Sequence, residues 1–280
     1  MANQIMKAGT ELSAIVPELW SQKFYDTLLA ALPFNDLISR DYEGEIKALG
    51  DTVNISQFPQ FDLAQEIAED EQVDADGVTV SSQQLVINKQ VVKDYIITNR
   101  AQIQSLEHAN ALRDLASYSI MKKMQKTIIE TIVPNAAAPD HAIAYDSGTT
   151  LALADILEAK ELLDAQNVPE EGRSMVLGAA QANDMFNIVG FVSRDFIPAG
   201  SPLVSGQFQT PVVGFSVKMT TEAGNTAYLF HPQFMSMAVQ QAPEVKVFDL
   251  GVQGQRAERV NMTVLWGLKQ LDGLRVVTIG

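Results

Sequence analysis

Asp74, Asp76 and Gly77 in "QVDADGVTVSSQ" (72–83) occupy the third, fifth and sixth positions of an EF-hand calcium loop. In such a loop alternating oxygens ring the cation and a glycine makes the sharp turn. Position one here is Gln72, and position twelve is Gln83 where a bidentate glutamate is needed; the stretch also runs into a strand pattern. It reads as a solvated acidic loop. Glu170-Glu171-Gly172-Arg173 is a second charged cluster, but no nucleophile or base accompanies it. Asn167 suits the left-handed end of a helix, Pro169 presets a turn and Gly172 supplies a positive φ, so each residue has a place in a connector.

Other chemistry is sparse. His108, His141 and His231 lack the paired spacing of an HExxH zinc site. Gly214-Phe215-Ser216-Val217 begins like a nucleophile elbow and lacks its second glycine. No phosphate-cradling GxxxxGK[ST] occurs, and no GxGxxG opens a helix. Cysteine is absent, which excludes disulfides, thiolate nucleophiles and cysteine–zinc sites. No catalytic residue, metal site or cofactor site is assigned.

The elements around these clusters are clearer. "PELWSQKFYDTLLAAL" (17–32) predicts a helix with Trp20, Phe24, Leu28 and Leu32 on one stripe and Pro33 at its end. "DTVNISQF" (51–58) alternates as a half-buried strand with Val53 and Ile55 inward. Residues 77–98 are a second extended region, which would span about 70 Å as one strand; it is either two strands with a bend or a strand that projects. Residues 99–133 predict a long helix, continuous over 105–133 and some 45 Å long at about 1.5 Å per residue. Its expected apolar stripe is Ile103, Leu106, Ala109, Leu112, Leu115, Tyr118, Met121, Met124, Ile128 and Ile132, with Lys122, Lys123 and Lys126 off it. Residues 135–150 form a proline- and small-residue-rich connector, and 151–165 a helix capped by Thr149 or Thr150. In the tail, Met262, Val264, Trp266 and Leu268 share a strand face, and Asp272-Gly273 turns into a final strand. Long helices with scattered antiparallel strands and no βαβ regularity indicate an α+β fold.

The chain has 280 residues, 46% hydrophobic and 19% charged, enough for one large domain or two lobes. Its formal net charge of −14 argues against a module that binds nucleic acid through a basic face. Residues 66–76 hold Glu66, Glu69, Asp70, Glu71, Asp74 and Asp76 with no basic residue, a self-repelling block. The N-terminus lacks a signal-peptide pattern and no apolar run approaches membrane-spanning length, so a soluble protein made in the cytoplasm is expected.

"LLDAQNVPEEGRSMVL" resembles a segment of the major capsid proteins of tailed bacteriophages, where a helix ends in Leu-Asp-x-x-x-Val-Pro, followed by Gly-Arg and a short buried strand. Leu163, Asp164, Val168, Pro169, Gly172 and Arg173 match. Tyr42-Glu43-Gly44-Glu45 followed by Gly50-Asp51-Thr52-Val53 is similar to the family's N-terminal region, and Trp266-Gly267 with "LDGLRVVTI" to its closing strands. Each motif is unspecific alone; the ordered set spans nearly the whole chain.

This resemblance implies the Hong Kong 97-type fold: an N-terminal arm (1–44), an extended loop (45–98), a peripheral domain (99–140 and 241–265) with a long spine helix, and an axial domain (141–240 and 266–280). It implies a structural protein of the virion, made in the host cytoplasm, that assembles with itself into hexamers and pentamers of an icosahedral shell. Such a shell encloses double-stranded DNA without sequence-specific binding, and a scaffolding protein, a portal and a decoration protein are the implied partners. An acidic wall suits that task because it repels phosphate. Some relatives weld subunits through a loop lysine and a neighbour's asparagine, but residues 64–80 contain no lysine. The acidic block and Lys122, Lys123 and Lys126 are the candidate assembly contacts, and Pro169, Gly172 and Arg173 the turn signature. The alternatives are an encapsulin-type nanocompartment shell and a monomeric enzyme or binding module.

Overall fold

The computed structural model describes residues 32–46, 52–58, 77–98, 106–146, 148–188, 208, 211–250 and 257–280. The expected helix at 17–32 falls almost wholly outside them. Pro33 takes the N-cap position of a short helix, α1 (Phe34–Leu37), and a second turn, α2 (Glu43–Ile46), follows.

Residues 77–98 resolve into two strands in two sheets. Strand β1 (Thr52–Gln57) pairs antiparallel with β2 (Ser81–Val86) as a ribbon, whereas β3 (Lys89–Thr98) joins a different sheet. Val53 and Ile55 face inward as the alternation requires, and Ile55 is buried with Leu85, Ile87 and Ala238. Val78 and Val80, read as the start of the extended run, lie in exposed coil.

The long helix α3 (Leu106–Thr131) is continuous. Its buried face is Ala116, Ile120, Met124 and Ile128, each four residues from the next. Leu112, Leu115 and Met121, which the apolar periodicity assigned to the core stripe, are exposed. Periodicity counts apolar residues without knowing where the rest of the chain lies. At this helix the covering partners are α1 and the three-stranded sheet β3-β9-β8, formed with β8 (Met235–Asp249) and β9 (Ala257–Gln270). Met262, Val264, Trp266 and Leu268 share one buried face of β9, as their alternation indicates.

A five-stranded sheet, β4-β10-β7-β5-β6, is built from β4 (Ala142–Ile143), β5 (Ser174–Leu177), β6 (Ser216–Met219), β7 (Ala227–Phe230) and β10 (Val276–Ile279). Both of its faces are covered, so its central strands are continuous apolar runs rather than alternating ones. Val176, Tyr228, Phe230 and Val276 pack toward α3, while Met175, Leu177, Leu229 and Val277 pack toward α4 (Leu153–Ala165) and α5 (Ala179–Asn187). Phe34 lies 5.6 Å from both Phe230 and Tyr228, stacked on the first and edge-on to the second, which pins the N-terminal segment to this core.

One local expectation differs and one holds. The N-cap of α4 is Ala152, not a threonine. The buried Asp155 carboxylate instead accepts the backbone N–H of Ala152 at 2.8 Å and of Asp146 at 3.0 Å. That satisfies a helix-start donor from inside the first turn. Asp272-Gly273 turns into the final strand β10, as expected. Asp272 accepts from Leu274 N–H at 2.9 Å and carries the chain out of the three-stranded sheet into β10 of the other.

Candidate assembly surfaces

The charged turn is a clamp. Asn167 has φ 53 and Gly172 φ 82, the left-handed positions that their residue types suggested. Arg173 is buried just before β5. Its Nε donates to Pro169 O at 2.9 Å, its Nη2 to Val168 O at 2.5 Å, and its Nη1 pairs with Asp164 at 2.6 Å. Two guanidinium nitrogens thus hold the turn that precedes the strand, and the third ties it to α4. The Asp164 carboxyl sits below its ordinary range, first through its hydrogen bond with Lys160 at 2.7 Å and then through Arg173. Arg173 therefore holds the Pro169 carbonyl, and Gly172 supplies the left-handed position beside it.

The remaining sequence candidates disperse. Gln83, at the twelfth EF-hand position, donates to Leu271 O at 2.8 Å and so anchors the ribbon; residues 72–76 lie outside the described residues. Ser216 opens an edge strand paired with β5. His141 is buried with Nδ1 at 2.9 Å from Pro139 O, and His231 caps a turn far from it in sequence. The side chain of His108 lies outside the described residues. Among the described residues no three His, Asp or Glu side chains come together as a metal-binding group. No described helix is long and apolar enough to cross a membrane.

Three kinds of surface residue remain as candidates for contact with another molecule. Lys122, Lys123 and Lys126 are exposed on α3. Lys122 is already engaged, with Nζ 2.9 Å from Glu222 of the same chain, a hydrogen bond that holds its ammonium above the usual lysine range. No ion pair within the described residues involves Lys123 or Lys126. Glu66, Glu69, Asp70, Glu71, Asp74 and Asp76 lie outside the described residues.

The other two kinds are apolar, and sequence reasoning passed over them. At the outer end of the ribbon, Phe58, Val78 and Val80 are exposed. On the face of the three-stranded sheet opposite α3, Ile96 is 60% exposed and Phe248 50%, with Val92 beside them. Between these lie Asp94, paired with Arg259 and accepting from Asn261 at 3.1 Å. The ribbon stem covers the other end of this same face, through Leu85 and Ile87 on Ala238 and Leu265. Alternation in β3 and β9 marks both faces of the sheet, so no sequence signal separates a covered from an open one.

No family model and no curated protein matches the chain. Solved structures match along nearly its whole length. One, described as Mycobacterium phage Che8, aligns with a TM-score of 0.75 at 22% identity, covering 95% of this chain and 97% of its own. The capsid structure of Cyanophage P-SCSP1u aligns at 0.74 and 12% identity, over 97% and 94% of the two chains. The Cyanophage Pam1 capsid asymmetric unit aligns at 0.74 and 15% identity, over 100% and 98%.

The chain has the phage capsid fold. At these identities the correspondence is one of fold, and it is the Hong Kong 97-type α+β architecture that the ordered motifs resemble. In this chain the long helix packs on one face of the three-stranded sheet and the ribbon stem lies across the other. Under the helix, β3 directly precedes it in the chain and β9 comes from far away; under the ribbon, Ala238 and Leu265 are both distant in sequence.

Proposed function

We propose that this chain is the major capsid protein of a tailed phage, a structural protein of the virion that assembles with itself into hexamers and pentamers of a closed icosahedral shell around double-stranded DNA. The supporting observation is whole-chain agreement with phage capsid structures, with 95–100% of this chain covered in the three comparisons above. The arm (1–44), extended loop (45–98), peripheral domain (99–140 and 241–265) and axial domain (141–240 and 266–280) are the proposed division of labour. The net charge of −14 fits a wall that must hold DNA without binding it. A scaffolding protein and a portal are the proposed assembly partners, with a decoration protein on the outer surface. No catalytic step is proposed.

Size exclusion of the purified full chain, with negative-stain imaging of the void fraction and nuclease-resistant DNA measured in the particles, tests this. Closed shells are expected, filled with DNA when taken from infected cells. A stable monomer or dimer under every condition, scaffold included, overturns the reading. Shells that never carry DNA point to an encapsulin-type compartment.

A further inference from the structure

Three chain connections between the two larger sheets gather at one place. The segment after α3 is held there by Val133 N–H on Gln270 Oε1 at 2.9 Å and Asn135 N–H on Gly273 O at 3.2 Å. The β7–β8 connection is the 3-10 turn Pro232–Phe234, and the β9–β10 connection is the 3-10 turn Gly273–Arg275. They lie side by side, with His231 N–H on Arg275 O at 3.1 Å and Leu271 N–H on Phe234 O at 2.8 Å.

His231 sits inside this crossing. Only 9% of it is exposed. It is the N-cap of Pro232–Phe234, and its Nδ1 accepts the backbone N–H of Gln233 at 3.4 Å. Serine, threonine and aspartate usually fill such a position, because their oxygens accept at any neutral pH. An imidazole accepts at Nδ1 only while that nitrogen is unprotonated.

The charged groups around the ring are mostly cations. Arg275, from the adjoining turn, donates to Gln233 Oε1 at 2.7 Å and pairs with Asp272 at 3.2 Å. Arg173, from the 169–173 turn, pairs with Asp164 at 2.6 Å. That turn reaches Pro232, since a Cβ on Gly172 would lie 3.9 Å from the Pro232 ring. The backbone of Glu171 also hydrogen-bonds His231 and favours its proton, but burial and then the two guanidinium charges oppose it.

We propose that His231 is an acid-sensitive pin at the crossing of the two sheets: a proton from solvent on Nδ1 turns the capping acceptor into a donor facing the Gln233 N–H and adds a third positive charge beside Arg173 and Arg275. The sign follows from linkage. A histidine whose folded pKa lies below the ordinary value contributes stability that is fully present above that value. The contribution is lost as pH falls from the unfolded pKa, about 6.5, toward the folded one. The Asp164 carboxyl, held below its ordinary range, still offsets Arg173 in that range.

The test compares the full wild-type chain with His231→Asn by thermal unfolding from pH 7.5 to 5.5, in one assembly state verified by size exclusion. Asparagine still accepts at the N-cap and does not titrate. The wild-type midpoint is expected to fall by about 2 °C or more beyond the fall of the variant over this interval. His108 and His141 are common to both chains and cancel. Equal falls overturn the proposal. If His231→Asn does not fold, Arg275→Gln decides: removing one facing cation is expected to shallow the wild-type pH slope, and an unchanged slope overturns the proposal.

Discussion

The carbonyl of Val86 lies where a side chain on Gly267 would have to be: a Cβ there would stand 2.5 Å from that oxygen and 3.0 Å from Ile87 Cα. The chain leaves β2, crosses β9 at this point and enters β3, so the glycine lets the extended segment bend between two sheets. Gly267→Ala must push the crossing away, an overpacking that costs about 1–3 kcal/mol. A lowered unfolding midpoint is expected. Gly44→Ala, with nothing within 4 Å of its Cβ position, is the control and should not lower it.

The buried face of α3 makes a sharp contrast with its exposed one. Met124→Asp or Ile128→Asp would bury an unpaired carboxylate against the Met262 and Trp266 face, and insoluble protein is expected. Leu115→Asp changes a residue that is 37% exposed and should leave a soluble, folded subunit. Expression and circular dichroism of the three variants distinguish the faces, and equal behaviour would contradict the packing.

With no lysine in residues 64–80, the shell is expected to be non-covalent. Particles boiled in detergent should run as one band near 30.6 kDa. A ladder of multimers would show a crosslink made by other residues.

Six carboxylates between 66 and 76, with no basic residue among them, are poorly suited to stabilising their own subunit. We expect them to meet cations of neighbouring copies, where Lys123 and Lys126 are better placed than Lys122, already held by Glu222. An exposed pair contributes only about 0–1 kcal/mol, but a shell repeats it in every subunit. Neutralising Glu69, Asp70, Glu71 and Asp74 together should leave the subunit folded and lower the salt concentration at which shells dissociate. Unchanged yield, salt tolerance and heat tolerance would remove the loop from the contact.

The features legible from residues alone are those whose causes are local. Asn167, Pro169 and Gly172 write their own backbone angles, so the turn before β5 was readable without any partner. Alternation placed Val53, Ile55, Met262 and Trp266 inward because a strand's two faces are fixed by its pleat. The continuity of α3 likewise follows from a long run without glycine or proline. Tertiary structure decided what depends on distant chain. It chose Ala116, Ile120, Met124 and Ile128 as the covered face of α3 and left Leu112, Leu115 and Met121 outside, because the sheet and α1 arrive from that side. It divided 77–98 between two sheets, because β9 offers a glycine under the bend. It turned Asp272-Gly273 into a crossing, because β9 and β10 find partners in different sheets. It gave Arg173 its role by bringing Asp164 and two turn carbonyls around one guanidinium. The apolar surface at Ile96 and Phe248 was not legible for the same reason: an alternating strand says which residues share a face, and only the packing of the remaining chain says whether that face is covered.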